Sequence, residues 1–138
     1  MNGELWINLP VKDLERAKAF YSAAGFALHP RHEGSRDAAG LLIGEKKVTV
    51  MLFPEEAFVK FAGHAAADPK KGSEVLLSIG AASREEVDGI IRRAVEAGGT
   101  CFCEPKGEQG WMYGAGFADV DGHRWNILYM DMSRMPSE

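Results

Sequence analysis

Leu5-Trp6-Ile7-Asn8-Leu9-Pro10-Val11-Lys12-Asp13-Leu14-Glu15-Arg16-Ala17-Lys18-Ala19-Phe20-Tyr21 reads as a strand that runs straight into a capped helix. Leu5, Ile7, Leu9 and Val11 alternate with Trp6, Asn8 and Pro10, the period of two of a strand with one strongly apolar face. Asp13 is placed to cap a helix, and Leu14, Ala17, Phe20, Tyr21 and Ala24 follow at helical spacing. Gly25 stops that helix. Further along, Phe26 to Glu33 reads as a strand weakened by Pro30. Ala38 to Ile43 and Val48 to Phe53 flank Gly44-Glu45-Lys46-Lys47 as a hairpin. The order is β-α-β-β-β.

The same order returns. Glu74 to Ile79 alternates as a strand. Ser83-Arg84-Glu85-Glu86 fits a capping box, and Val87, Ile90, Ile91, Ala94 and Val95 form one helical stripe. Gly98-Gly99 ends it. Thr100 to Glu104 reads as a strand and Pro105 to Gly110 as a polar loop. Tyr113 to Asp119 and Arg124 to Met130 pair around Asp121-Gly122, a hairpin dipeptide. The caps Asp13 and Ser83 and the turns at Glu45 and Asp121 stand at nearly matching separations, so the pattern is duplicated although the letters are not. The fold class is α+β: two βαβββ modules forming a curved mixed sheet, with helices on the convex face. Residues 1–138 make a single domain, with module one at 4–53, a linker at 54–73 and module two at 74–131. Phe58-Val59-Phe61 predicts a short helix in the linker.

Length and composition agree. A chain of 138 residues, 46% hydrophobic and 26% charged, needs no metal or disulfide to build a core. Its formal charge of −4 argues against a general nucleic-acid binder. No apolar run is long enough to cross a membrane, and Met1-Asn2-Gly3-Glu4 lacks the marks of a signal peptide. The cytoplasm is the expected location. Cys101 and Cys103 read as buried free thiols on one face of a strand.

Specific letters carry a resemblance. Leu9 to Tyr21 followed by Gly25-Phe26 resembles the opening segment of the vicinal oxygen chelate superfamily. Gly114-Ala115-Gly116-Phe117-Ala118-Asp119-Val120-Asp121-Gly122-His123-Arg124-Trp125 resembles its closing hairpin. That superfamily includes glyoxalase I, bleomycin-resistance proteins and extradiol dioxygenases, and the whole-chain pattern is most similar to bacterial lactoylglutathione lyase-like proteins. The resemblance implies a cup in each module. In catalytic members, the first and last strands of each module place four metal ligands inside it. It also implies a homodimer and a small-molecule partner.

By that alignment the histidine position falls on Trp6, whose indole has no lone pair for a metal. The second position falls on Thr49 or Met51, the third on Glu74 and the fourth on Asn126. One good ligand of four leaves a degenerate site, so no metal cofactor is expected. His29, His32, His64 and His123 do not repair the set. His123 reads as a structural residue beside a turn, His29 and His32 share no face of a weak strand, and His64 lies in the linker. The cup would be lined by Trp6, Asn8, Met51, Phe53, Glu74 and Asn126 and rimmed by Trp111 and Tyr113, a make-up suited to a small organic ligand. Glu74, if buried among apolar neighbours, would have a raised pKa and serve as the catalytic base or as a partner for a cationic ligand group; the alternative is a solvated Glu at the open end of its strand. The competing reading is a lyase or isomerase of the glyoxalase I type, dependent on a divalent ion such as zinc or nickel.

Overall fold

The structure is a computed structural model, and it describes residues 1–107 and 110–136. Module one runs β1 (Trp6–Val11), α1 (Leu14–Ala23), β2 (Ala27–Leu28), β3 (Ala39–Ile43) and β4 (Val48–Pro54). The linker holds α2 (Glu55–Ala62). Module two runs β5 (Leu77–Gly80), α3 (Arg84–Glu96), β6 (Thr100–Lys106), β7 (Met112–Ala118) and β8 (Arg124–Met130). Each module builds its own four-stranded sheet, in the orders β1-β4-β3-β2 and β5-β8-β7-β6. In both, the first strand lies parallel to the last and the remaining pairs are antiparallel. Among the described residues no helix is long and apolar enough to cross a membrane.

Local chemistry sets the helix starts. The Asp13 carboxylate accepts the Arg16 N–H at 3.1 Å. Ser83 Oγ accepts the Glu86 N–H at 3.1 Å, while the Glu86 carboxylate reaches back to the Ala82 N–H at 3.0 Å. The Arg16 and Glu86 bonds satisfy donors that the helix starts would leave open, and the Ala82 bond fixes the chain leading into α3.

The two modules share one core. Phe20 and Tyr21 of α1 meet Phe26, Phe117 and Trp125, with Tyr21 and Trp125 ring centres 5.9 Å apart and Phe26 and Trp125 at 5.2 Å. Leu9 and Val11 of β1 and Leu52 of β4 are buried in the same cluster. The Arg93 guanidinium of α3 donates to the Ala24 carbonyl at the end of α1, at 3.3 Å. The helix of each module therefore packs on the interior face of its sheet, and the opposite faces stay open.

Four sequence expectations change. The strand expected at 26–33 shrinks to Ala27–Leu28 and gives way to a 3-10 turn at Pro30–His32. Proline has no N–H for a ladder but fits the first turn of a helix. The strand expected from Glu74 begins at Leu77, where its pairing with β8 starts opposite Trp125. Glu74, Val75 and Leu76 are exposed ahead of it. The polar loop expected at 105–110 loses its first two residues to β6, and positions 108 and 109 lie outside the described residues. Finally, Cys101 and Cys103 do not share a face. A register shift between them turns Cys101 toward the core and Cys103 toward the open face.

Candidate functional site

On β4, Val50 and Leu52 enter the core, so Thr49, Met51 and Phe53 project from the open face. The parallel register sets Trp6 beside Thr49 and Asn8 beside Met51. A cavity of about 690 Å³ covers this face of module one, lined by Trp6, Thr49, Met51 and Phe53 together with His29 and His32. Met51 is 8% exposed and forms its floor, whereas Trp6 is 56% exposed at the mouth. Three of the expected ligand-lining residues thus meet in one place.

His29 and His32, which a strand reading leaves without a common face, share one here. In a 3-10 turn, residues three apart eclipse one another. His29, which caps the turn, and His32 therefore face the sheet together, with ring centres 5.8 Å apart. They sit above Gly40. A Cβ there would lie 3.1 Å from His29 Cβ and 3.2 Å from Met51 Sδ, so any larger residue would press on both side chains. The Arg31 N–H donates to His29 Nδ1 at 3.1 Å. A neutral imidazole accepting at Nδ1 carries its hydrogen on Nε2, so His29 has a donor to offer from that nitrogen. The sequence signal was the three-residue spacing across Pro30.

Asn8 and Glu74 border a second cavity, about 770 Å³, in the seam beside β1, with Pro10, Phe58, His64 and His123. Glu74 is exposed, so it lacks the apolar burial that would raise its pKa and suit it to act as a base. His123 Nε2 donates to the Pro10 carbonyl at 2.7 Å and ties β8 to β1, a structural task.

Asn126 opens onto a third, smaller cavity of about 200 Å³ on module two, beside Cys103, Met112 and Leu128. Its amide reaches Ser78 Oγ at 3.5 Å. Much of this face is filled. The Phe102 ring lies over Gly116, where a Cβ would come within 2.7 Å of Phe102 Cε1, and the Arg124 guanidinium covers that ring at 4.4 Å. Tyr113 lies on the opposite face. Its hydroxyl donates to Asp88 of α3 at 2.6 Å, and Arg84 stacks over its ring at 5.0 Å. The bond to Asp88 raises the Tyr113 pKa, because losing the proton would set two anions together. Trp111 is half-buried ahead of β7, its carbonyl accepting the Asp131 N–H at 2.7 Å, outside these three cavities.

The profile of the Glyoxalase/Bleomycin resistance protein/Dioxygenase superfamily matches residues 5–127. The chain belongs to this superfamily. A hypothetical protein from S. aureus is 36% identical, with 94% of each chain covered and a TM-score of 0.80. A glyoxalase-related enzyme from Fulvimarina pelagi is 21% identical over 94% of this chain and 88% of its own, with a TM-score of 0.78. A genomically encoded fosfomycin resistance protein from Listeria monocytogenes is 20% identical over 97% and 98%, with a TM-score of 0.67. The last two likenesses show the fold alone. No protein with a curated description matches the chain.

Membership in the glyoxalase/bleomycin resistance superfamily raises the question of a metal. The four positions hold an indole, a hydroxyl or thioether, a carboxylate and an amide. Trp6 and Met51 line the module-one cavity, Glu74 the seam and Asn126 the module-two face. Among the described residues no three His, Cys, Asp or Glu side chains form a group that could hold a metal ion. The donor set does not fit the divalent ion of the catalytic members.

Proposed function

We propose that this glyoxalase/bleomycin-resistance-like protein binds a small organic ligand in the module-one cavity without a metal cofactor. The observation that carries this reading is the meeting of Trp6, Met51 and Phe53 around one cavity of about 690 Å³. That volume lies within the range of small-molecule sites. Apolar walls supply affinity by removing ligand surface from water, at roughly 25 cal/mol per Å². The Thr49 hydroxyl and the His29 ring N–H supply orientation. Asn8 and Glu74 extend polar groups into the neighbouring seam.

We further propose a homodimer. Leu5 is 80% exposed, Trp6 56% and Val48 47%, and together they present apolar surface around the open face of module one. A second copy set against that face would bury it and close the cavity.

A thermal-shift screen of small organic compounds, run with and without a chelator, tests the ligand reading. Compounds that raise the melting temperature equally in both conditions, and fail on a Met51→Trp variant whose cavity is filled, support it. Stabilisation that requires added zinc or nickel overturns it and favours the metal-dependent lyase.

A further inference from the structure

The module-one cavity has a charge opposite to that of its protein. The chain carries 20 acidic and 16 basic residues. Around this cavity stand Arg31, Lys46 and Lys47, against one carboxylate, Glu4. Among the described residues the one salt bridge joins Lys18 to Glu15, so these three cations have no ionic partner among them. They come from two separate elements. Arg31 is carried by the 3-10 turn and Lys46 and Lys47 by the β3–β4 turn.

The β3–β4 turn holds its lysines in an unusual way. Lys47 has φ 54°, the one positive φ outside glycine among the described residues. Its N–H bonds the Gly44 carbonyl at 3.1 Å. A side chain in the left-handed region costs free energy that asparagine or glycine would lower. Deeper in the cavity, His29 carries its hydrogen on Nε2 because the Arg31 N–H occupies Nδ1. That arrangement presents a donor at Nε2.

Resting on the reading of this cavity as a ligand site, we infer that its ligand is an organic anion. An apolar or aromatic body lies against Trp6, Met51 and Phe53. Its acidic group, a carboxylate, sulfonate or phosphonate, points toward Arg31, Lys46 and Lys47 and takes the His29 N–H. Cations gathered around the open face raise the local concentration of anions and steer them in. A carboxylate, sulfonate or phosphonate accepts from fixed N–H donors at several oxygens.

Two fluorescent probes with the same aromatic body test the inference. Anilinonaphthalene sulfonate carries the acidic group and phenylnaphthylamine lacks it. Titrations of the full chain should show the sulfonate binding on the order of tenfold tighter than the neutral amine, an advantage that shrinks as salt is added. The triple variant Arg31→Gln, Lys46→Gln, Lys47→Asn should bring the sulfonate down to the level of the amine and leave the amine unchanged. Asparagine tolerates the backbone at position 47. Trp6→Ala and the cavity-filling Met51→Trp should weaken both probes, with circular dichroism confirming an intact fold and size-exclusion chromatography an unchanged oligomeric state. Equal affinity for both probes, or a sulfonate advantage that survives the triple variant, overturns the anion inference. If both probes still respond to Trp6→Ala and Met51→Trp in that case, the ligand cavity itself stands. Probes indifferent to Trp6→Ala and Met51→Trp overturn the cavity reading and the inference with it.

Discussion

The Tyr21 hydroxyl, on the first helix of module one, donates to the Asp119 carboxylate at the closing turn of module two. Both side chains are buried. The Trp125 indole N–H donates in turn to the Tyr21 oxygen at 3.1 Å. The other Asp119 oxygen accepts the N–H groups of Asp121, Gly122 and His123 at 2.9, 2.9 and 2.8 Å. Asp121 passes the link on, accepting the Lys12 N–H at 2.9 Å just before α1. One interior carboxylate thus shapes the hairpin turn and locks the two modules together.

Removing the hydroxyl should therefore cost more than its size suggests. Tyr21→Phe leaves Asp119 short of a donor and Trp125 short of an acceptor inside the core. The expected loss is about 1–3 kcal/mol, the usual penalty for an unpaired buried polar group. Urea denaturation should show a lower midpoint with an unchanged slope. A midpoint equal to the parent's would show that the bond contributes nothing.

The same pair gives stability a pH dependence. Burial raises the Asp119 pKa above its ordinary 3.8, only partly offset by the nearby His123 and the bonds it accepts. Burial, followed by the Asp119 charge, pushes Tyr21 well above 10.0. A pKa raised on folding means the native state holds its proton longer. Stability is then complete below the unfolded value and falls as pH rises through the window above it. The Asp119 contribution should decline above pH 3.8 as the carboxylate ionises, and the Tyr21 contribution above pH 10.0. Asp119→Asn should flatten the first slope and Tyr21→Phe the second, read from denaturation midpoints across pH. Slopes unchanged in the variants would refute the assignment.

Gly116 makes room for a side chain on the open face of module two. A methyl group there collides with the Phe102 ring, which Arg124 holds from above. Gly116→Ala should destabilise by about 1–3 kcal/mol, as overpacking does. Adding Phe102→Ala should recover part of that loss in a double-mutant cycle. Additive losses would mean the ring and the glycine do not interact.

Gly40 plays the matching part in module one, and here the cost should fall on binding. A methyl group presses on His29 and on the flexible Met51 thioether. Gly40→Ala should lower the affinity of the cavity for its ligands while costing about 1 kcal/mol or less of stability, since Met side chains adapt. Fluorescence titration beside thermal melting separates the two effects. Unchanged affinity would place binding elsewhere.

The fold was legible because its signals are local. Asp13, Ser83 and Asp121-Gly122 each act within a few residues, and the core residues Leu14, Ala17, Phe20 and Tyr21 follow one period. The site was less legible because it depends on partners far along the chain. Alternation sets Tyr113 apart from Met112 and Gly114, but only the contact with Asp88 and Arg84 of α3 shows which face is the interior. Glu74 falls outside β5, whose pairing with β8 starts at Leu77. His29 and His32 share a face through one turn of 3-10 helix, which a strand reading separates. Cys101 and Cys103 part at a register shift that no letter announces.

The central claim is a superfamily cup that works without a metal, and metal analysis tests it most directly. Protein purified without chelator should hold zinc and nickel far below one ion per chain, and calorimetric titration with either ion should show no tight site. Near-stoichiometric metal that is lost on Glu74→Ala would contradict the account and restore the metal-dependent reading.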